Sequence, residues 1–188
     1  MTDRTVGTSP SRKARIAGVF YLLTFLTGGY ALFVGGRWRF VATLIASACY
    51  VVVTLLFYYI FKPVSKSLSF LAALFSLTGC FLGAIGSPID PTVFFGCYCL
   101  LIGYLIVKSL FLPSVLGVLM AFAGLGWLTF VSPQLAKFLI PYNLIPGLLG
   151  EGALTLWLLV VSLNEPRWKE QALARGVPAS NDLHSPGL

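Results

Sequence analysis

Glu151 is the one acidic or basic residue that the sequence places deep inside an apolar segment. It follows Leu144 by seven residues, in an apolar run that continues to Leu163. A helix rises about 1.5 Å per residue, so the carboxyl lies about 10 Å from the outer end of this run. An unpartnered charge at that depth costs about 3 kcal/mol or more. Glu151 is therefore a candidate to bind a proton, an ion, a lipid or a small ligand; the alternative is a structural role, as a protonated or ion-paired group.

Other polar residues could form a site with this carboxyl. Thr155 follows Glu151 by one helical turn, on the same face. The charged residues on the same predicted side of the membrane complete the candidate cluster; they are Asp90, Lys137, Arg37 and Arg39. Asp90 lies in the turn formed by residues 88–91, and for it we favour a local role, accepting hydrogen bonds from the turn backbone.

The second apolar segment carries a polar stripe at helical spacing. Its members are Thr43, Ser47, Tyr50, Thr54 and Tyr58, separated by four, three, four and four residues. We favour hydroxyls that bond neighbouring helices or their own backbone, because Ser and Thr commonly hold membrane helices together. The alternative is a polar pathway, which the two tyrosines support because a buried phenol needs a partner.

Small residues form smooth faces on two further segments. They are Ala72, Ser76, Gly79, Gly83 and Gly86 on the third segment, and Gly117, Ala121 and Gly124 on the fifth. Helices in lipid gain no hydrophobic drive to associate, so close backbone approach at small residues is a main source of packing. We therefore predict these two faces as helix-packing surfaces.

Composition indicates which elements hold these residues. The chain of 188 residues is 57% hydrophobic and only 10% charged, with a mean hydropathy of +0.89. A soluble domain needs a more charged exterior, so lipid is the expected surroundings. The prediction is an all-α bundle of six transmembrane helices, at residues 16–34, 40–61, 68–87, 92–107, 114–131 and 144–163.

The flanking segments complete the domain prediction. Residues 1–13 are expected to be a disordered basic tail, 14–163 the membrane domain, and 164–188 a tail with a short amphipathic helix followed by disorder. Trp168 is expected at the lipid headgroups. The stretch 132–141 is too short to span a membrane and is expected to hold a short interfacial helix.

Basic residues set the expected orientation. The side that holds the N-terminus takes ten Lys and Arg residues, and the opposite side takes Arg37, Arg39 and Lys137. Positive loops stay in the cytoplasm, which predicts both termini inside a bacterial inner membrane. The basic residues lie in tails and short loops, so anionic headgroups explain them and nucleic acid is not an expected partner.

Residues for familiar membrane chemistry are missing from the predicted spans. The single histidine, His184, lies in the tail, and no segment presents two carboxylates for a metal. The four cysteines are interpreted as small apolar side chains. We therefore predict no catalytic residue, metal or cofactor, and we lean against an enzyme.

Several short sequences recur in one known family. They include Arg-Ile-Ala-Gly-Val-Phe-Tyr-Leu at 15–22, Phe-Gly-Cys-Tyr-Cys-Leu at 95–100 and Pro-Gly-Leu-Leu-Gly-Glu-Gly at 146–152, with others at 62–64, 67–74, 103–105, 112–117 and 156–158. In these segments the chain resembles a family of bacterial membrane proteins named domain of unknown function 4386. The resemblance implies a small multi-helix membrane protein and places Glu151 and residues 95–105 in its signature. It implies no activity.

Three functions remain at this point. The leading hypothesis is a non-enzymatic protein that binds a small ligand, lipid, proton or ion near Glu151. The second is an accessory subunit or homo-oligomer that packs through its small-residue faces against another membrane protein. The third is a membrane enzyme of an unrecognised kind.

A shift of 45 residues also aligns the third segment with the fifth, which suggests a repeated hairpin.

Overall fold

The computed structural model describes residues 9–177, and within them all regular secondary structure is helical. This confirms the all-α prediction. The α-helices are α1 (Pro10–Phe33), α2 (Gly36–Phe61), α3 (Lys66–Ala84), α4 (Thr92–Lys108), α5 (Ser114–Leu128), α6 (Pro133–Leu139), α7 (Leu144–Val160) and α8 (Glu165–Ala174). A 3₁₀ turn, Thr129–Val131, extends α5. The expectations for residues 1–8 and 178–188, including His184, lie outside the described residues.

Side-chain caps fix where several helices begin. Each cap residue accepts a hydrogen bond from the backbone N–H three residues later, which satisfies one of the free donors of the first turn. These residues are Ser9 for α1, Ser65 for α3, Ser132 for α6 and Asn164 for α8. Three of these helices, α1, α6 and α8, also have proline in the first turn, where its missing N–H costs nothing.

Six helices form a closed ring. α1 packs on α2, α2 on α3, α3 on α4, α4 on α5, α5 on α7, and α7 returns to α1. The centre of the ring is filled by side chains, among them Tyr21, Phe57, Tyr98, Met120 and Leu154, each at most 1% exposed. The six ring helices correspond to the six predicted apolar segments, although α1 begins at Pro10 rather than at residue 16.

The outside of the ring is apolar. Large exposed side chains on four different helices include Leu26, Phe70, Val118 and Leu156, each about three-fifths exposed. Within the described residues, three helices are long and apolar enough to cross a membrane: Gly36–Phe61, Lys66–Ala84 and Ser114–Val131. A fourth crossing is formed if α6 and α7, which meet at 79°, count as one bent span. The chain is thus an integral membrane protein, with helices whose outer faces contact lipid.

The Trp168 side chain is buried in the protein, so it is not the exposed anchor among headgroups that the sequence predicted. Trp168 is 2% exposed, and its indole Nε1 donates a 2.8 Å hydrogen bond to the backbone carbonyl of Ile60 near the end of α2. Its ring stacks on Tyr59, with centroids 5.8 Å apart, and Lys13 Nζ lies 3.3 Å from the centroid of the same tyrosine ring. Trp168 therefore holds α8 against the bundle through its hydrogen bond to Ile60 and its ring contact with Tyr59.

Candidate functional site

Glu151 lies midway along α7 and faces the centre of the ring, 5% exposed. Its carboxyl oxygens accept hydrogen bonds from three other helices. Tyr21 Oη of α1 donates to Oε2 over 2.6 Å, and Tyr50 Oη of α2 approaches the same oxygen at 3.5 Å. Trp127 Nε1 of α5 donates to Oε1 over 2.5 Å. We call these four residues the carboxyl cluster; it joins α1, α2, α5 and α7 through a single side chain.

Two glycines bring α7 close enough to α5 for the tryptophan to reach. A Cβ atom at Gly147 would lie 2.5 Å from Cζ2 of Trp127, so the indole occupies the space that any other residue would fill. A Cβ atom at Gly150 would collide with the backbone carbonyl of Leu119. The run Gly-Leu-Leu-Gly-Glu at 147–151 therefore places the acid and removes the side chains that would keep its donor away.

Aromatic rings surround the carboxyl cluster on the α2 and α4 side. The ring of Tyr50 packs edge-on against those of Tyr21, Phe95 and Tyr98, with centroids 5.4, 4.9 and 5.7 Å apart. Phe57 completes the packing against Tyr21 at 6.0 Å. Edge-to-face contacts of this kind fix the ring orientations, so the phenol groups that face Glu151 are held in place.

α4 contributes two further buried groups to this region, a thiol and a hydroxyl. Cys99 is fully buried, and its thiol lies beside the Glu151 carboxyl. Tyr98 is 1% exposed, and its hydroxyl has no hydrogen-bond partner among residues 9–177. A buried hydroxyl without a partner loses about 1 to 3 kcal/mol of hydrogen bonding, so the Tyr98 hydroxyl is held here at a cost to stability.

The structure does not bring the predicted cations to Glu151. Arg37, Arg39 and Lys137 are exposed, and the salt bridge formed within the described part of the chain joins Lys169 to Glu165. The ion pair between Glu151 and one of these cations, which was one alternative for its role, is thus not found among the described residues. The carboxyl is instead held by neutral donors, which stabilise it in place without cancelling a charge.

The remaining predicted polar residues lie apart from the carboxyl. Asp90 is exposed, and its Oδ1 accepts from the backbone N–H and the hydroxyl of Thr92 at 2.9 and 2.5 Å, which makes it a local turn residue before α4. Thr155 donates to the backbone carbonyl of Glu151 over 2.7 Å, so it serves the helix rather than the carboxyl group.

The polar stripe on α2 divides into separate roles. Thr43 bonds the carbonyl of Arg39 within its own helix at 2.9 Å. Thr54 bonds the carbonyl of Tyr50 at 2.9 Å and the hydroxyl of Ser76 on α3 at 2.5 Å. Tyr58 is half-buried, about two turns beyond Tyr50 on α2, and is not part of the carboxyl cluster. Tyr50 is thus the member of the stripe that reaches the central carboxyl.

The small-residue faces are occupied within the ring. A Cβ at Gly79 would lie 3.1 Å from the Phe95 ring of α4, and Ser76 bonds α2 as described. On the other face, Gly117 packs on the carbonyl of Gly103, and Gly124 on that of Gly96. We call this contact between α4 and α5 the glycine seam. Other members of the two faces are Ala72, which is buried, Ala121, whose backbone meets Gly103, and Gly83, which meets Pro91.

Gly86 is not part of a packing face. It lies beyond the end of α3 with φ of +64°, and nothing within the described chain lies within 4 Å of the position of its Cβ. A residue with positive φ after a helix is a common terminating position for glycine. Gly86 therefore ends the helix, which explains the glycine without a neighbouring helix.

Helical spacing did not identify Tyr21 and Trp127, because each stands alone among apolar residues of its own helix. The family resemblance did hold a signal for Tyr21, which lies in residues 15–22, as Tyr98 and Cys99 lie in 95–100 and Glu151 in 146–152, but none of its segments contains Trp127. Segments far apart in sequence thus share a site in the ring.

These features define the class of the protein, a helical integral membrane protein built around a central carboxyl. Its family follows from comparison with known sequences. The profile of the family described as "Domain of unknown function (DUF4386)" matches residues 35–87 and 91–162. That is more than half of the chain, and the protein belongs to this family. The matched region holds every member of the carboxyl cluster except Tyr21.

A curated relative comes from an archaeon. An uncharacterized protein of Archaeoglobus fulgidus is 27% identical over 122 residues, which cover 58% of this chain and 75% of the relative. No solved structure matches the chain.

Proposed function

We propose that this protein is a non-enzymatic, multi-pass membrane protein whose Glu151 carboxyl binds and releases a proton. The observation that carries the proposal is the bonding of the carboxyl by Tyr21 and Trp127, with Tyr50 beside them and no cation in contact within the described residues. An acidic residue inside a membrane bundle is expensive and is typical of proton and ion pathways.

A proton suits the site better than the other occupants considered. The groups around the carboxyl are tightly packed, with Tyr21 and Cys99 fully buried and Tyr50 only 6% exposed. A metal ion, lipid or organic ligand would require the aromatic rings to separate. A proton needs no added volume, and the Tyr50 and Tyr21 hydroxyls, 3.4 Å apart, can reorient as the carboxyl gains or loses it.

The proposal includes six membrane crossings with both termini in the cytoplasm. It is supported by the closed ring of six helices and by the uncharged stretch of α1 that follows Arg15. The ten-to-three division of basic residues between the two ends of the bundle supports the orientation. The family resemblance supports a bacterial cell membrane as the location, and the archaeal relative extends the expectation to archaea.

Infrared difference spectroscopy in lipid nanodiscs tests proton exchange directly. We expect the wild-type protein to show a protonated-carboxyl C=O band whose intensity changes with pH across the range in which the protein stays folded. Glu151→Gln should remove that band, while Glu170→Gln, at an exposed position on α8, should leave it. Tyr21→Phe should shift the band, because the carboxyl loses its phenol donor.

The same infrared experiment has an outcome that would contradict proton exchange at Glu151. A carboxyl that keeps one protonation state throughout that range, with Glu151→Gln altering only thermal stability, would make the cluster a structural tie between helices. The accessory-subunit alternative loses its original support, because the glycine faces on which it depended are covered by neighbouring helices of the same chain.

A further inference from the structure

A second polar feature lies at the end of the bundle that carries α8. A cavity of about 370 Å³ opens there, lined by the loop between α2 and α3 and by the residues that follow α8. Its walls are Lys62, Pro63, Val64, Ser65, Lys66, Arg175, Gly176 and Val177. Three of these side chains are cations and none is acidic, so we call it the basic pocket.

Packing of α8 builds this pocket. Trp168 docks the helix on the carbonyl of Ile60, two residues before Lys62, and Ala172 on the same face is fully buried. The chain then turns at Gly176, where φ is +62°. The N–H of Val177 bonds the carbonyl of Ala172 at 3.0 Å, and that of Gly176 bonds Leu173 at 3.1 Å, which is the Schellman arrangement. Arg175 is thereby fixed beside the α2–α3 loop.

The electrostatics of the pocket favour an anion. α3 begins at Lys66 under the cap of Ser65, so free N–H groups and the positive end of a 19-residue helix face this region. The C-termini of α2 and α8 contribute the opposite partial charge. Taking about half a charge for each helix end, the three cations still leave about two and a half positive charges around the pocket.

We propose that the basic pocket binds a phosphate group, of the kind carried by anionic lipid headgroups or by free inorganic phosphate. Phosphate presents several acceptor oxygens, which suit the two ammonium groups and the guanidinium of residues that line the pocket from two elements. The pocket lies at the ends of α2 and α3, both long and apolar enough to span a membrane, so it sits at headgroup depth. Its size exceeds that of a single phosphate and leaves room for part of a headgroup.

Binding to wild-type protein in detergent micelles tests the assignment with two probes, phosphatidic acid and inorganic phosphate. Native mass spectrometry counts bound lipid, and the shift in unfolding temperature reports binding of either probe. The test variant is Lys62→Gln/Lys66→Gln/Arg175→Gln. The matched control, Arg12→Gln/Arg15→Gln/Lys108→Gln, removes the same charge from the same end of the bundle at exposed positions outside the pocket.

We expect the pocket variant to lose about tenfold or more in affinity for phosphatidic acid, and the control to lose less than about threefold. Trp168→Phe keeps every charge and loses the bond to Ile60, and it should weaken binding by an intermediate factor because Arg175 is less well placed. Stabilisation by inorganic phosphate as well would identify a soluble phosphate as sufficient; stabilisation by phosphatidic acid alone would identify the lipid.

Two outcomes would overturn the proposal. Equal losses in the pocket and control variants would show a diffuse positive surface rather than a site. Absence of binding by both probes to the wild-type protein would exclude a phosphate group altogether. Both variants change only polar residues at the membrane surface, and their unfolding temperatures without added phosphate report whether the fold is intact.

Discussion

The carboxyl cluster and the glycine seam hold the same ring together by opposite means. At the seam, the backbones of α4 and α5 meet at Gly103 and Gly117 with no side chain between them. At the cluster, α1, α2, α5 and α7 are bridged by long side chains that converge on Glu151. In lipid, burying apolar surface does not favour helix association, so close packing and hydrogen bonding are the two contributions that remain.

The two contacts differ in how they respond to change: the glycine seam accepts no added atoms, whereas the carboxyl cluster can rearrange its hydrogen bonds. The seam has no freedom, because any added atom meets a backbone carbonyl. The cluster keeps its geometry through hydroxyl and indole groups that can exchange partners, and it can therefore change state while the helices stay in place. We expect mutations at the seam to affect folding alone, and mutations at the cluster to affect both stability and proton exchange.

Gly103→Ala should have the largest effect. Its Cβ would lie 2.7 Å from the carbonyl oxygen of Gly117, so α4 and α5 must separate. Overpacking of this severity costs about 3 kcal/mol. Gly28→Ala is the control, since nothing lies within 4 Å of that position on α1. Unfolding by sodium dodecyl sulfate in mixed micelles measures both, and a mild effect at Gly103 would mean that the helices are not in backbone contact.

Glu151→Leu should destabilise the bundle by about 2 kcal/mol, because the donors of Tyr21 and Trp127 lose their acceptor. Glu151→Gln keeps an acceptor oxygen and should cost about 1 kcal/mol or less. The same micelle titration compares them. If the two variants were equally stable, hydrogen bonding at the cluster would contribute nothing and the comparison with the seam would fail.

Tyr21→Phe should cost about 1 kcal/mol, the usual net value of one buried hydrogen bond. The ring contacts with Tyr50 and Phe57 stay, so only the 2.6 Å bond to the carboxyl is lost. Combining Tyr21→Phe with Glu151→Leu in a double-mutant cycle isolates that bond. Additive effects of the two changes would indicate that the hydroxyl and carboxyl do not interact.

Gly152→Ala should have the smallest effect and the opposite sign. No atom of another element within residues 9–177 lies within 4 Å of its Cβ position, so alanine should stabilise α7 by up to about 1 kcal/mol through its higher helix propensity. The residue is a neighbour of Glu151, which makes it a sensitive control for the cluster. If Gly152→Ala lowered stability instead, the added methyl group would have to meet a neighbour on this face of α7, contrary to the prediction.

Sequence reasoning anticipated the helical class and the importance of Glu151, because apolar runs and a lone acid within one leave a local signal. It also identified Gly79, Gly117 and Gly124 as small residues on packing faces. It did not identify what those faces touch: nothing in the sequence states that Gly117 meets Gly103 rather than a partner protein.

The cluster was harder to foresee. Tyr21, Trp127 and Glu151 are brought together by the closing of the ring, and ring closure depends on which helices are neighbours, which spacing within one helix does not encode. An ion pair with Arg37, Arg39 or Lys137 was one alternative for Glu151, and it relied on charge attraction. The structure leaves these cations exposed to water, where long basic side chains lose less solvation.

The ring helices differ in length. α1 and α2 have 24 and 26 residues, whereas α4 and α7 have 17 each. At about 1.5 Å per residue, the first pair reaches about 36 to 39 Å and the second only about 25 Å, against a hydrocarbon core of about 30 Å. With the six crossings proposed above, a bilayer around this ring would thin on one flank, at a cost of a fraction of a kcal/mol per Å. Thinning there brings headgroups and water nearer to the midpoint of α7, so acyl-chain length becomes a variable that acts on Glu151 without altering any residue of the protein.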